Sequence, residues 1–258
     1  MSVVITFEHP LSERVRNFLR IEHLFLRFYA SLDNREPWAH HAALTALFEI
    51  MDCAARAELK LDILQELERQ RQHLAEEEQG EEPAHEQAVL LQAAQNLQEV
   101  HQKFGQHLRE NEWLMSIKQR IPVSGGTTPF DLPSYHYWLQ QPYEKRLADL
   151  NGWIRSLTPT GEAIQLLLGI LRHNSHNSDC DAVSGSFQSK RLPPNIQMLS
   201  IEVGQDYGAL PEVSANKYFT HIRFIQASQH SPRGEQLAGN VAFRLKMCSF
   251  DPLPDALP

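Results

Sequence analysis

Apolar and polar residues along this chain follow two different periods, and the change comes near residue 185. Before it, apolar residues recur at helical spacing. Over residues 11–29, Leu11, Phe18, Ile21, Phe25, Phe28 and Tyr29 project to one side, while Arg16, Arg20, His23 and Arg27 project to the other. That predicts an amphipathic helix with a basic outer stripe, opened by Pro10, whose missing N–H costs nothing at a helix start. Leu44, Leu47, Phe48 and Met51 repeat at i, i+3, i+4, i+7 and predict the next helix. Further helices are predicted over residues 59–74, 84–100, 104–120, 134–139, 142–157 and 159–174, separated by an acidic turn at 76–83 and a Pro-containing loop at 127–133. Residues 173–185 are polar and read as a flexible loop.

Beyond residue 185 the period becomes two. Leu199, Ile201 and Val203 alternate with Ser200 and Glu202. Tyr218, Thr220, Ile222 and Phe224 alternate with Lys217, Phe219, His221 and Arg223. Val241, Phe243, Leu245 and Met247 alternate with Ala242, Arg244, Lys246 and Cys248. Three half-buried strands near 197–204, 217–226 and 240–248 follow, forming one antiparallel sheet. Residues 3–7, β-branched and aromatic, read as a short strand that completes it. The predicted fold class is α+β: a mainly α-helical domain over 1–184, a small antiparallel β domain over 185–250, and a frayed tail over 251–258.

Composition narrows the function classes. With 258 residues, 42% hydrophobic and 22% charged, the chain has the makings of a globular core. Its longest apolar run, residues 166–171, is six residues and far too short to span a bilayer, so no membrane insertion is expected. The first residues lack a basic segment followed by an apolar one, and Cys53, Cys180 and Cys248 lie far apart. Both features predict a cytoplasmic protein without a disulfide framework. The net charge of −8 is uneven. Residues 1–185 hold 17 Lys and Arg against 26 Asp and Glu, while 186–247 hold 7 against 4. An acidic total disfavours a general nucleic-acid binder without forbidding a local basic face.

Catalytic chemistry is sought and not found. Residues 123–128 (Val-Ser-Gly-Gly-Thr-Thr) have the glycines of a phosphate loop but no lysine, and Pro129 follows, so they read as a turn. Ser184-Gly185-Ser186 is no nucleophile elbow. His173, His176, Asp179, Cys180 and Asp181 include zinc-ligand types, but no second ligand pair supports them. No enzyme activity, cofactor or metal is expected. The distinctive surface is basic. By the alternation, Lys217, His221, Arg223, Arg244 and Lys246 share one sheet face, with Phe219 as an apolar anchor. Two readings stay open: a solvated outer face, or a docking surface for an acidic peptide or a nucleic-acid backbone.

Ordered short motifs resemble the ZapD family of bacterial division proteins. They are Phe7-Glu8-His9-Pro10-Leu11 through Phe18-Leu19-Arg20-Ile21-Glu22, then Glu66-Leu67-Glu68-Arg69-Gln70, Leu108-Arg109-Glu110, Phe130-Asp131-Leu132-Pro133 with His136-x-Trp138-Leu139, and Lys217 with Ile222-Arg223-Phe224. The resemblance implies a cytoplasmic, non-enzymatic homodimer that acts at midcell. It would bind the acidic C-terminal tail of FtsZ, the tubulin-like division GTPase, and cross-link FtsZ filaments in the Z-ring. Carried over by motif, the docking residues would be Arg20, Arg56, His136, Lys217 and Arg223, with Arg109 in a matched motif; Arg244 and Lys246 extend the set on the sheet. Glu112 and Phe219 stand where a basic residue would be expected. The alternative is a single-stranded nucleic-acid binder using the basic sheet face.

Overall fold

A computed structural model of the chain describes residues 3–54, 58–77, 81–100, 103–189, 192–193, 195–215, 219–230 and 234–252. The fold is α+β. Strand β1 (Val4–Pro10) is followed by nine helices among the described residues: α1 (Glu13–Leu32), α2 (Pro37–Cys53), α3 (Leu59–Glu77), α4 (Glu81–Gln98), α5 (Gln106–Arg109), α6 (Glu112–Arg120), α7 (Pro133–Leu139), α8 (Tyr143–Ile154) and α9 (Thr158–His173). Strands β2 (Ser175–Ala182), β3 (Ser186–Ser189), β4 (Ile196–Gly204), β5 (Ala209–Ala215), β6 (Thr220–Gln226) and β7 (Val241–Ser249) complete it. The chain divides into two compact units, residues 17–167 and residues 1–16 with 168–258. Among the described residues no helix is long and apolar enough to cross a membrane.

In the helical unit, the apolar stripe of α1 is buried as the projection requires at Phe18, Ile21, Phe25 and Phe28, while Tyr29 stays exposed. The start of α1 differs from expectation. Pro10 ends β1, and the helix begins at Glu13, where Ser12 Oγ accepts a hydrogen bond from the Val15 amide at 3.2 Å. The 104–120 stretch is two helices rather than one. Gly105, at φ +66°, precedes α5, and Asn111 opens α6 by accepting the Leu114 amide at 3.1 Å through Oδ1. A side-chain cap at Asn111 competes with helix continuation, which periodicity alone does not register.

The β unit departs further from the sequence reading. The strands form two antiparallel sheets, ordered β1-β4-β7-β2 and β3-β6-β5. β1 does join a sheet, pairing with β4 over its whole length. The predicted strands correspond to β4, β6 and β7, but β6 lies in a different sheet from the other two. Period-two alternation reports which face is buried, not which strand is the neighbour. Ile201, Val203, Ile222, Phe224, Val241, Phe243 and Leu245 form the buried core, with Phe243 5.0 Å from Phe224 and 5.2 Å from Phe187 between ring centroids. The loop expected over 173–185 is largely β2, which pairs with β7 along all eight residues. Its sequence, SHNSDCDA, has little strand propensity; a complete backbone ladder to β7 overrides it. Ser184 (φ +49°) and Gly185 (φ +68°) turn β2 into β3 with both central residues left-handed, the geometry of a two-residue type I′ hairpin.

Candidate functional site

The structure places the basic residues picked out by sequence in different surroundings. Arg56 and Lys217 lie outside the described residues. Arg20, on α1, and His136, on α7, are exposed. Arg109, on α5, is exposed but engaged: Nη1 donates to the Phe104 carbonyl at 2.6 Å and Nη2 to the Met51 carbonyl at 3.0 Å. It satisfies a carbonyl in the last turn of α2, so it has structural work in the helical unit. The basic stripe of α1 is shortened at both ends, since Arg16 reaches Glu13 at 3.3 Å and Arg27 reaches Glu49 at 2.8 Å. Glu112 is exposed at the first turn of α6, where a carboxylate complements the helix dipole. Phe219 stands just before β6 and is 47% exposed.

The single basic sheet face is corrected. Arg244 and Lys246 are on the four-stranded sheet, whereas His221 and Arg223 are on the three-stranded one. The alternation placed Arg223 and Arg244 outward correctly, but the register sets a carboxylate beside each cation. Arg244 Nε meets Asp179 Oδ1 of β2 at 2.8 Å. Lys246 Nζ meets Glu202 Oε1 of β4 at 2.5 Å. Arg223, on β6, bridges Glu212 on β5, with Nε 3.0 Å from Oε2. The Arg223 and Arg244 pairs are exposed and contribute about 0–1 kcal/mol each, so they balance the local potential while remaining exchangeable for another carboxylate, whereas the Lys246–Glu202 pair is half-buried.

The helical unit holds an aromatic assembly that charge-led reasoning missed. Trp113 of α6, Tyr135 and Trp138 of α7 and Trp153 of α8 meet with ring centroids 5.6–6.3 Å apart. Trp113 Nε1 donates to Ser134 Oγ at 3.1 Å, and Trp138 Nε1 to Asp149 Oδ2 at 3.1 Å. Tyr135 is fully buried, and its hydroxyl lies 2.6 Å from His41 Nδ1 on α2. These contacts fix α7, so that His136 and Tyr137 point outward, Tyr137 being 69% exposed; Phe130, just before α7, is 82% exposed. The signal was present as Tyr135, Tyr137 and Trp138 on one short helix, but Trp113 and Trp153 come from distant positions. Nearby, His107 caps the end of α8 through the Trp153 carbonyl at 2.8 Å and contacts Ser156 Oγ at 3.0 Å.

Burial also sets a pH response. His40 and His41 on α2 have pKa values pushed below the ordinary 6.5 chiefly by desolvation, with Arg146 adding to the effect at His40 and the Leu32 carbonyl opposing it. The unfolded chain takes up these protons more readily than the folded one. Stability is therefore full above about pH 6.5 and falls as the pH drops through the lowered values. Thermal melts between about pH 5 and 8 should show the midpoint declining below about 6.5, and His41→Gln should flatten part of that decline. A wild-type midpoint constant over this range would contradict the assignment.

Comparison with known proteins places these features in a family. Residues 19–223 match the ZapD family, described as a cell division protein. The chain is 43% identical over 252 residues to the cell division protein ZapD of Chromobacterium violaceum, covering 96% of this chain and 100% of the relative. It is 40% identical over 253 residues to that of Aromatoleum aromaticum, with 96% and 98% covered, and 39% identical over 252 residues to that of Dechloromonas aromatica, with 96% and 100% covered.

Proposed function

The chain belongs to the ZapD family of cell division proteins, and from that premise we propose that it is a non-enzymatic homodimer that binds the acidic C-terminal tail of FtsZ and bundles FtsZ filaments at the midcell Z-ring. The observation that carries this reading is near-full-length similarity to proteins named cell division protein ZapD. Exposed Arg20 and His136 on the helical unit supply donors for carboxylates, and exposed Phe130 and Tyr137 supply apolar contact beside His136. A dimer gripping one tail per protomer joins two filaments, and the many tails along a filament raise avidity without further contacts. The nucleic-acid alternative rested on a shared basic sheet face; Arg223, Arg244 and Lys246 are instead bridged to carboxylates on two separate sheets.

Co-sedimentation with FtsZ filaments tests the reading. The protein should pellet with full-length FtsZ and stay in the supernatant with FtsZ lacking its tail; equal pelleting with both forms would overturn tail binding. Arg20→Glu should weaken binding of the isolated tail peptide about tenfold or more, since replacing a charge-assisted contact by repulsion amounts to at least ~1.4 kcal/mol. Arg14→Glu on the same helix, outside the stripe, should change it far less. Anisotropy measures the binding and circular dichroism the fold. Equal affinity for Arg20→Glu and wild type would remove Arg20 from the docking surface.

A further inference from the structure

Among the described residues, four buried side-chain polar atoms have no hydrogen-bond partner, and three of them belong to one cluster in the helical unit: Arg146 Nε and Nη1 on α8, and His40 Nδ1 on α2. Buried polar groups without a protein partner usually hold an ordered water or an ion. Arg146 is only 3% exposed, and its Nη2 donates to the Arg35 carbonyl at 2.7 Å. That bond sets the guanidinium beside the start of α2. Glu36 precedes this helix without a side-chain cap, and Pro37 opens it. A helix start carries partial positive charge, so the guanidinium adds to a place that is already positive. Glu36 is the carboxylate that acts on Arg146, but it is exposed and bonds to neither orphaned nitrogen. His40 is fully buried and feels the Arg146 charge. The Leu32 carbonyl accepts from the Tyr143 hydroxyl at 3.0 Å and lies 3.4 Å from His40 Nε2. The shorter bond already serves that carbonyl, which leaves His40 able to carry its hydrogen on Nδ1.

We propose that Arg146, His40 and the start of α2 form a binding site for one small monovalent anion of halide size, such as chloride. The anion accepts hydrogen bonds from Nε–H and Nη1–H of Arg146 and from Nδ1–H of His40. Three considerations select an anion over a water molecule. The orphaned groups of Arg146 are donors only. The guanidinium is a full charge in a desolvated place, and a buried charge without a counter-charge costs far more than a buried dipole without a partner. The dipole of α2 favours negative charge at the same end. Burial limits the size: the orphaned nitrogens have almost no contact with solvent, which shuts out a phosphate or a carboxylate carried on a chain. The connector between α1 and α2, residues 33–36, is exposed along its length and covers the guanidinium through the Arg35 carbonyl. Its opening admits the anion. Once bound, the anion neutralises Arg146 and fastens the connector and the start of α2 to α8. The site lies within the helical unit and does not depend on the tail-binding reading.

Thermal melts of the full chain at fixed ionic strength, with gluconate exchanged stepwise for chloride, test the site. Gluconate is too large to enter it. The midpoint should rise with chloride and level off, gaining about 3–6 °C at ten times the dissociation constant. Arg146→Met keeps an unbranched stem and removes every donor, so its midpoint should be the same in both salts. A second measurement needs no variant and stands even where Arg146→Met fails to fold. Wild-type crystals soaked in bromide should show an anomalous peak within hydrogen-bond reach of Arg146 Nε and Nη1. Equal wild-type midpoints in chloride and gluconate overturn the proposal, and so does a chloride response that survives in Arg146→Met. Density at the site without an anomalous signal makes the ligand a water molecule and equally overturns it.

Discussion

Replacing Gly185 with valine is expected to destabilise the β unit by about 3–4 kcal/mol. Three effects add. At φ +68° a residue other than glycine pays roughly 1–2 kcal/mol, and a β-branched one stands at the upper end. A Cβ there would lie 2.4 Å from the Leu237 carbonyl oxygen and 3.1 Å from that of Phe224, and neither is the yielding end of a flexible side chain. The Gly185 carbonyl also accepts the Phe224 amide at 2.8 Å, so relieving the clash pulls on β6 directly. Against a total stability of about 5–15 kcal/mol that is a large fraction. Urea unfolding followed by circular dichroism should show a much lower midpoint, with Gly185→Ala intermediate. Gly239→Ala is the control: its added Cβ meets nothing within 4 Å, and the midpoint should hold or rise slightly. A Gly185→Val midpoint equal to wild type would refute the hairpin geometry.

The same turn shows what the sequence did and did not disclose. Apolar periodicity located α1 and α2 and told buried from exposed on β4, β6 and β7, because burial of one face imposes period two or 3.6 directly. It could not separate β6 from β4 and β7. Neighbour choice depends on long-range registers such as Glu202 with Arg244, and those leave no local trace. β2 was missed because its strand character comes from pairing with β7 rather than from its side chains. β5 was missed because Pro211 and Glu212 break the alternation on an edge. The candidate site was legible to the same degree. Sidedness predicted an outward Arg223 and Arg244, but their carboxylate partners Glu212 and Asp179 sit on strands that the alternation did not reveal. The exposed rings of Phe130 and Tyr137 needed no register, yet only the assembly beneath them explains why α7 can present them.

Removing the ring at the centre of that assembly, by Tyr135→Ala, should cost about 3–5 kcal/mol, the range for emptying a buried aromatic site. Tyr135 is stacked on Trp138 at 5.9 Å, lies 6.3 Å from Trp113 and contacts the His41 ring at 6.0 Å, so its loss opens a void bordered by three helices. His41 Nδ1 would also lose its 2.6 Å partner. Tyr135→Phe keeps the ring and forfeits only the hydroxyl contact, which should cost about 0.5–1.5 kcal/mol. The functional consequence separates support from contact. His136 and Tyr137 are neighbours of Tyr135 on the seven-residue α7, so a loosened α7 should bind the FtsZ tail peptide less tightly although no exposed residue has changed. His136→Ala should do the reverse, leaving the melting midpoint within about 0.5 kcal/mol of wild type while weakening binding. Tryptophan fluorescence reports the packing, since Trp113, Trp138 and Trp153 surround the site, and anisotropy reports the peptide. If Tyr135→Ala melts and binds like wild type, the aromatic assembly neither supports α7 nor shapes the docking surface. If His136→Ala lowers the midpoint as far as Tyr135→Ala does, His136 belongs to the packing and the exposed face of α7 is not where the tail is held.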